Sequence, residues 1–79
     1  IEHGSVLVLK RIKKSAIIPG NIYAIRTSTI STLRRVRVCE DDAKWALCAS
    51  NTERYDPITI YDKDIVEVLS IKAVISLKN

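Results

Sequence analysis

Residues 32–50 read TLRRVRVCEDDAKWALCAS, and the reading of this stretch decides the fold. Thr32 to Glu40 sets Leu33, Val36 and Val38 among arginines, the branched and alternating composition of a strand. Glu40-Asp41-Asp42-Ala43 supplies turn-forming side chains. Lys44 to Ser50 reads as a second strand, so the stretch folds back as a β-hairpin. Strand alternation then puts Arg34 on the same side as Val36 and Val38. A guanidinium is thereby aimed at the apolar face of a sheet. Cys39 and Cys48 lie nine positions apart around the turn. A simple hairpin register does not oppose them, so they are expected as buried or half-buried free thiols rather than a disulfide.

The same pattern extends outward. Val6-Leu7-Val8-Leu9 is a short β-branched run and reads as a buried strand. The basic run at residues 10–14, KRIKK, reads as a solvated loop face. Pro19-Gly20-Asn21 is a turn signal. Residues 22–27 then read as a strand with Tyr23 and Ile25 on one side and Ile22 and Ala24 on the other. Residues 26–31 suit a hairpin tip, and residues 50–57 a loop. Residues 58–61 make a short strand that Asp62-Lys63-Asp64 breaks. From Leu69 the terminal stretch alternates, with Leu69, Ile71, Ala73, Ile75 and Leu77 expected to face the core and Ser70, Lys72, Val74 and Ser76 to face away. The expected fold is all-β: about six short strands in one domain over residues 1–79, forming a small coiled sheet or partly open barrel.

Composition bounds the function. A chain of 79 residues buries only about 60% of its unfolded surface, so a partner is expected to complete it. Neither a membrane span nor a signal peptide is read from the sequence, and the expected location is cytoplasmic. The chain has no methionine, which suggests a longer parent protein. The formal net charge of +4 suits an acidic partner or a merely soluble surface. If nucleic acid binds directly, Lys10, Arg11, Lys13 and Lys14 are the candidates. The three tyrosines and one tryptophan are scattered away from these cations, unlike a base-stacking platform.

Catalytic and metal motifs are absent from the sequence. One histidine, His3, at the chain's end builds neither a metal cluster nor a hydrolytic triad. Two glycines make no phosphate-cradling loop. Asp41-Asp42 and Asp62-x-Asp64 lack the length and closing glutamate of a calcium loop. No cofactor and no metal are expected.

The order of features resembles a known family. HGSVLVLK, PGNIYAIRT, TLRRVRV, WALCASNTERYDPITI and a β-branched final strand are similar, in sequence and spacing, to the C-terminal domains of LexA-type and phage repressors. Ser50, Asn51, Tyr55, Pro57 and Ile58 match that family's Asn-containing loop. The resemblance implies a signal-peptidase-like β fold and a self-cleaving serine peptidase in which a buried neutral lysine serves as base. The family's nucleophilic serine would lie before the segment matching Ile1 to Gly4, and Ser5 stands where aspartate is usual. The lysine position falls on Arg34. A guanidinium keeps its proton and cannot serve as that base. The alternative for Arg34 is a side chain that snorkels its charge out at a sheet edge.

The resemblance therefore implies a regulatory, catalytically inactive dimerisation domain of a repressor-like transcriptional regulator, with DNA bound only through an absent N-terminal domain. Its homodimer would form through the C-terminal strand at Lys72, Ala73, Val74, Ile75 and Ser76, provided that strand lies at a sheet edge. The alternatives are a self-cleaving peptidase whose nucleophile lies upstream and a small basic β-barrel that binds nucleic acid.

Overall fold

The computed structural model describes residues 4–51 and 54–76. His3, Leu77 and part of the loop matched to the repressor family lie outside these residues. Six strands follow in chain order: β1 (Ser5–Ile12), β2 (Ile22–Thr27), β3 (Ser31–Val38), β4 (Lys44–Cys48), β5 (Ile58–Tyr61) and β6 (Ile65–Ser76). Two single 3-10 turns, Lys14–Ala16 and Asp62–Asp64, interrupt them. All six strands join one antiparallel sheet in the order β1-β6-β2-β3-β4-β5. The domain is all-β, and its sheet coils without closing into a barrel, leaving β1 and β5 as its two edges.

Local chemistry explains the corners. Ile18-Pro19-Gly20-Asn21 forms a turn in which the Asn21 N–H donates to the Ile18 carbonyl at 3.2 Å. Gly20 takes φ +98° there, the conformation that the third residue of a type II turn requires. At the β2–β3 tip, the buried Thr27 hydroxyl accepts from the N–H groups of Thr29 and Ile30. Asp41 caps the β3–β4 turn by accepting from the Ala43 N–H at 2.9 Å.

Ladder partners share a face, so the registers assign every strand residue. The inner face carries Tyr23, Ile25, Val36, Leu47, Ile60 and Val68, which form the core with Ile17 and Ile65. Ile25, Val36, Leu47 and Val68 are essentially sealed from solvent. Tyr23 is buried with its hydroxyl satisfied, accepting from the Ile18 N–H at 2.9 Å. Arg34 is half-buried on this same face, opposite Tyr23 across the β2–β3 ladder.

Three local expectations are corrected. Val6 to Leu9 forms a strand but not a buried one, since Val6, Val8 and Leu9 are exposed by 39–44%. The run KRIKK does not form a loop throughout: Lys10, Arg11 and Ile12 belong to β1, paired with Ser70, Leu69 and Val68. Ile12 packs against the core and draws its charged neighbours into the ladder. The terminal strand does not present Leu69, Ile71, Ala73 and Ile75 on one core-facing side. The β1–β6 register shifts between Val8 and Leu9, leaving Lys72 as the extra residue of a bulge. Leu69 and Ile71 therefore share the outer face with Arg11 and Leu9, whereas Ala73 and Ile75 share the inner face with Val8 and Val6. Ala73 and Ile75 are exposed because no core element reaches that end of the sheet.

That end is a two-stranded ribbon. β2 pairs with β6 only from Ile65 to Ser70. Beyond Ser70, β6 continues to Ser76 with β1 as its one partner among the described residues. The radius of gyration, 13.1 Å, exceeds the roughly 11.6 Å of a compact chain of this length, as a projecting ribbon requires.

Candidate functional site

Arg34 enters the site from the middle of β3. Its Nη1 donates two long hydrogen bonds of 3.4 Å, to the carbonyls of Leu47 and Asp56. The guanidinium thus ties the end of β4 to the segment that leads into β5. Neither partner is a hydroxyl or a thiol. The nearby depression, about 160 Å³, is lined by Ile22, Leu33, Arg34, Arg35 and Ser50. The side chains of that depression include no histidine, carboxylate or lysine to accept a proton from Ser50. As arranged, Arg34 positions backbone and donates hydrogen bonds.

The four cations of the basic run do not form one bare patch. Lys10 and Arg11 point to opposite faces of β1. Arg11 Nη2 donates to Glu67 Oε2 at 2.6 Å. Lys14 Nζ lies 3.2 Å from Asp62 Oδ2 and donates to the Asp62 carbonyl at 3.0 Å. Lys13 precedes the first 3-10 turn and is exposed.

The terminal-strand residues Lys72, Ala73, Val74, Ile75 and Ser76 are all exposed. The condition set for pairing a second copy is met over half of β6 only. Ile65 to Ser70 lies between β1 and β2 and has both edges filled. Ile71 to Ser76 is bonded to β1 on one side and, among the described residues, has an open edge on the other. A depression of about 320 Å³ marks the notch where β2 stops, lined by Asn21, Ile22, Tyr23, Arg35, Ser70 and Ile71. Around this ribbon Val6, Val8, Leu9, Val74 and Ile75 are each exposed by 39–50%.

One residue that fastens the turn between β5 and β6 went unnoticed in the sequence. Asp62, read there only as part of a strand break, accepts from Trp45 Nε1–H at 2.9 Å. Its own N–H donates to the Ala43 carbonyl at 2.8 Å. The Trp45 hydrogen bond outweighs the opposing desolvation and, with the lesser help of the hydrogen bond and charge of Lys14, holds its carboxyl below the ordinary carboxylate range. Spacing alone pairs no tryptophan with a given acid, so no sequence signal marks it.

Among the described residues, no three His, Cys, Asp or Glu side chains are placed to hold a metal ion, and no helix is long and apolar enough to cross a membrane. Cys39 and Cys48 are half-buried free thiols, with Cys48 opposite Arg35 in the β3–β4 ladder. No family model, curated protein or solved structure matches the chain.

Proposed function

We propose that the chain is a non-catalytic dimerisation module of a repressor-like transcriptional regulator, whose DNA contacts are made by a separate domain. The observation that carries this reading is the open, apolar-flanked edge of β6 from Ile71 to Ser76. A free strand edge recruits another strand through its unpaired N–H and C=O groups. A two-fold axis at Val74 sets Lys72 opposite Ser76 and Ala73 opposite Ile75 of the second copy, with no like charges facing. Pairing of this length covers on the order of several hundred Å² per protomer, the low end for a specific interface, so a micromolar Kd is expected. Such a module raises DNA affinity by holding two binding domains at one operator, without touching DNA itself.

Two features argue against the enzymatic and nucleic-acid readings. Arg34 spends its hydrogen bonds on carbonyl oxygens, leaving no base beside a hydroxyl. Arg11 and Lys14 are already engaged by carboxylates, which halves the basic run available to phosphate.

The test is sedimentation equilibrium of the 8.9 kDa chain between about 1 and 100 μM, concentrations that bracket the expected Kd. The wild type should approach twice that mass. Val74→Asp should remain monomeric yet folded, since Val74 is 48% exposed and outside the core. Val66→Asp, at a valine 58% exposed and eight residues from Val74 along β6, should dimerise normally. A wild-type chain that stays monomeric at the highest concentration overturns the proposal.

A further inference from the structure

The sheet has a second face that its own fold leaves uncovered. The coil buries only the inner side, and no second layer lies over the outer side among the described residues. Successive strands place a continuous apolar field there. Leu9 and Ile71 pair across β1–β6, and Leu69 on β6 pairs in turn with Ala24 on β2. Ala24 pairs with Leu33 on β3, and Ile22 extends the field beside Arg35. Leu9 and Leu33 are 39% and 37% exposed, and the others are half-buried. One uninterrupted apolar field therefore crosses four strands, where an outer sheet face of ordinary solvation alternates in polar residues.

The border of this field carries a net positive charge, four arginines against the single carboxylate of Glu67. Arg11, Arg26, Arg35 and Arg37 all lie on the outer face by register. Among the described residues Glu67 is the only acid in a strand, and it is shared between Arg11 at 2.6 Å and Arg26 at 3.9 Å. Arg35 and Arg37 are exposed, with no carboxylate within ion-pair distance among the described residues. Every other acid among the described residues sits in a turn or a loop.

We propose that the outer face of the β1-β6-β2-β3 sheet docks a protein segment with an apolar centre and acidic flanks. Charge decides between occupants. A second copy laid face to face would bring arginine borders together, and like charges juxtaposed at an interface cost several kcal/mol. Acidic flanks meet Arg35 and Arg37 as bidentate carboxylate partners. A lipid surface suits the face less well. Interfacial anchoring relies on protruding Trp, Phe or Leu side chains beside lysines or arginines, and although the arginines are present, the Leu9–Leu33 field holds no aromatic residue and is half-buried in the sheet. This inference does not rest on dimerisation. Strand pairing at Ile71–Ser76 would set two such faces side by side in one sheet and leave both open.

The test uses the isotopically labelled chain and a short fluorescent peptide of leucines and valines flanked at both ends by glutamates. A lysine-flanked peptide and phosphatidylcholine vesicles containing phosphatidylserine serve as the other arms. The acid-flanked peptide should bind, more weakly at raised salt, and shift the amide signals of Leu9, Ile22, Leu33, Leu69 and Ile71. Leu33→Glu should weaken binding about tenfold or more. The double variant Arg35→Glu with Arg37→Glu should reverse the preference and select the lysine-flanked peptide, a gain that a misfolded chain cannot give. Equal binding of both peptides to the wild type, shifts located elsewhere, or binding of vesicles and not of peptide overturns the proposal. A sedimentation mass altered by Leu33→Glu assigns the face to a second copy and overturns it too.

Discussion

Asp62 gives the sharpest energetic test of the fold. It starts the single turn that carries the chain from β5, at one edge of the sheet, directly into β6, second from the other edge. The coil therefore depends on what fastens this turn to its neighbours. The Trp45 indole, the Lys14 ammonium and the Ala43 carbonyl do so. A hydrogen bond to a charged acceptor contributes about 1.5–3 kcal/mol. The Lys14 pair is 42% and 40% exposed, so it adds about 0–1 kcal/mol. Asp62→Ala loses both and leaves the part-buried indole N–H without its partner, so a loss of about 2–3 kcal/mol is expected. In a domain this size that lowers Tm by roughly 10–20 °C. Asp62→Asn keeps an acceptor for the indole and loses only the charge, for about 1 kcal/mol.

The pH dependence follows from the direction of the Asp62 shift. Its carboxyl is lowered in the folded chain, chiefly by the Trp45 hydrogen bond and then by Lys14. Its contribution is therefore fully present above the unfolded carboxylate pKa of about 3.9 and disappears as pH falls through the lower folded value. Denaturant melts followed by the fluorescence of Trp45, the only tryptophan, report both the turn and the fold. The stability gap between wild type and Asp62→Asn should be constant above about pH 5 and close on further acidification. A wild-type stability within about 0.5 kcal/mol of Asp62→Ala, or a gap that persists unchanged to the lowest pH, refutes the fastening role.

Leu47→Ala empties a sealed core site and should cost about 2–5 kcal/mol, a large share of the roughly 4–12 kcal/mol available to 79 residues, so its Tm by circular dichroism should fall by roughly 10–40 °C. Arg34→Ala removes the tie to the Leu47 and Asp56 carbonyls and should cost about 1–2 kcal/mol in urea melts, while the sedimentation behaviour of the folded fraction stays that of wild type. A loss of dimer in that variant without loss of fold would move Arg34 from backbone support to the interface.

The strands were legible because β-branched residues and turn formers alternate along the chain at short range. Residues 22–27 form a strand as read, with Tyr23 and Ile25 buried on one side. The hairpin of residues 32–50 is present as β3 and β4, each ending two residues before the sequence suggested. Charge misled the reading at Lys10 and Arg11, which look like loop residues and pair in a ladder because Ile12 beyond them reaches the core. Strand order was not legible at all. Inserting β6 between β1 and β2 joins residues some sixty positions apart, and no local pattern encodes such a pairing.

The bulge at Lys72 links what the sequence hid to what the domain offers. From Leu69 onward Leu69, Ile71, Ala73 and Ile75 alternate with Ser70, Lys72, Val74 and Ser76, so the sequence assigns the first set to one side. One extra residue against β1 reverses that assignment midway, and the same alternation then feeds two faces. Before the bulge, Leu69 and Ile71 join the outer field with Leu9 and Leu33. After it, Ala73 and Ile75 turn inward, past the reach of the core, while Val74 turns outward. A strand serving only its own core has no use for apolar residues on both faces of a ribbon that lies beyond that core. Edge pairing at Ile71–Ser76 covers the ribbon, and a docked segment covers the outer field. Inserting one glycine in β1 between Val8 and Leu9 gives Lys72 a partner, restores one continuous register and moves Ala73–Ser76, together with Ser5–Val8, to the opposite faces. That single insertion should leave the Trp45 melt near wild type and abolish dimerisation in the centrifuge. An insertion mutant that still dimerises normally would show that the bulge does not set the partner surface.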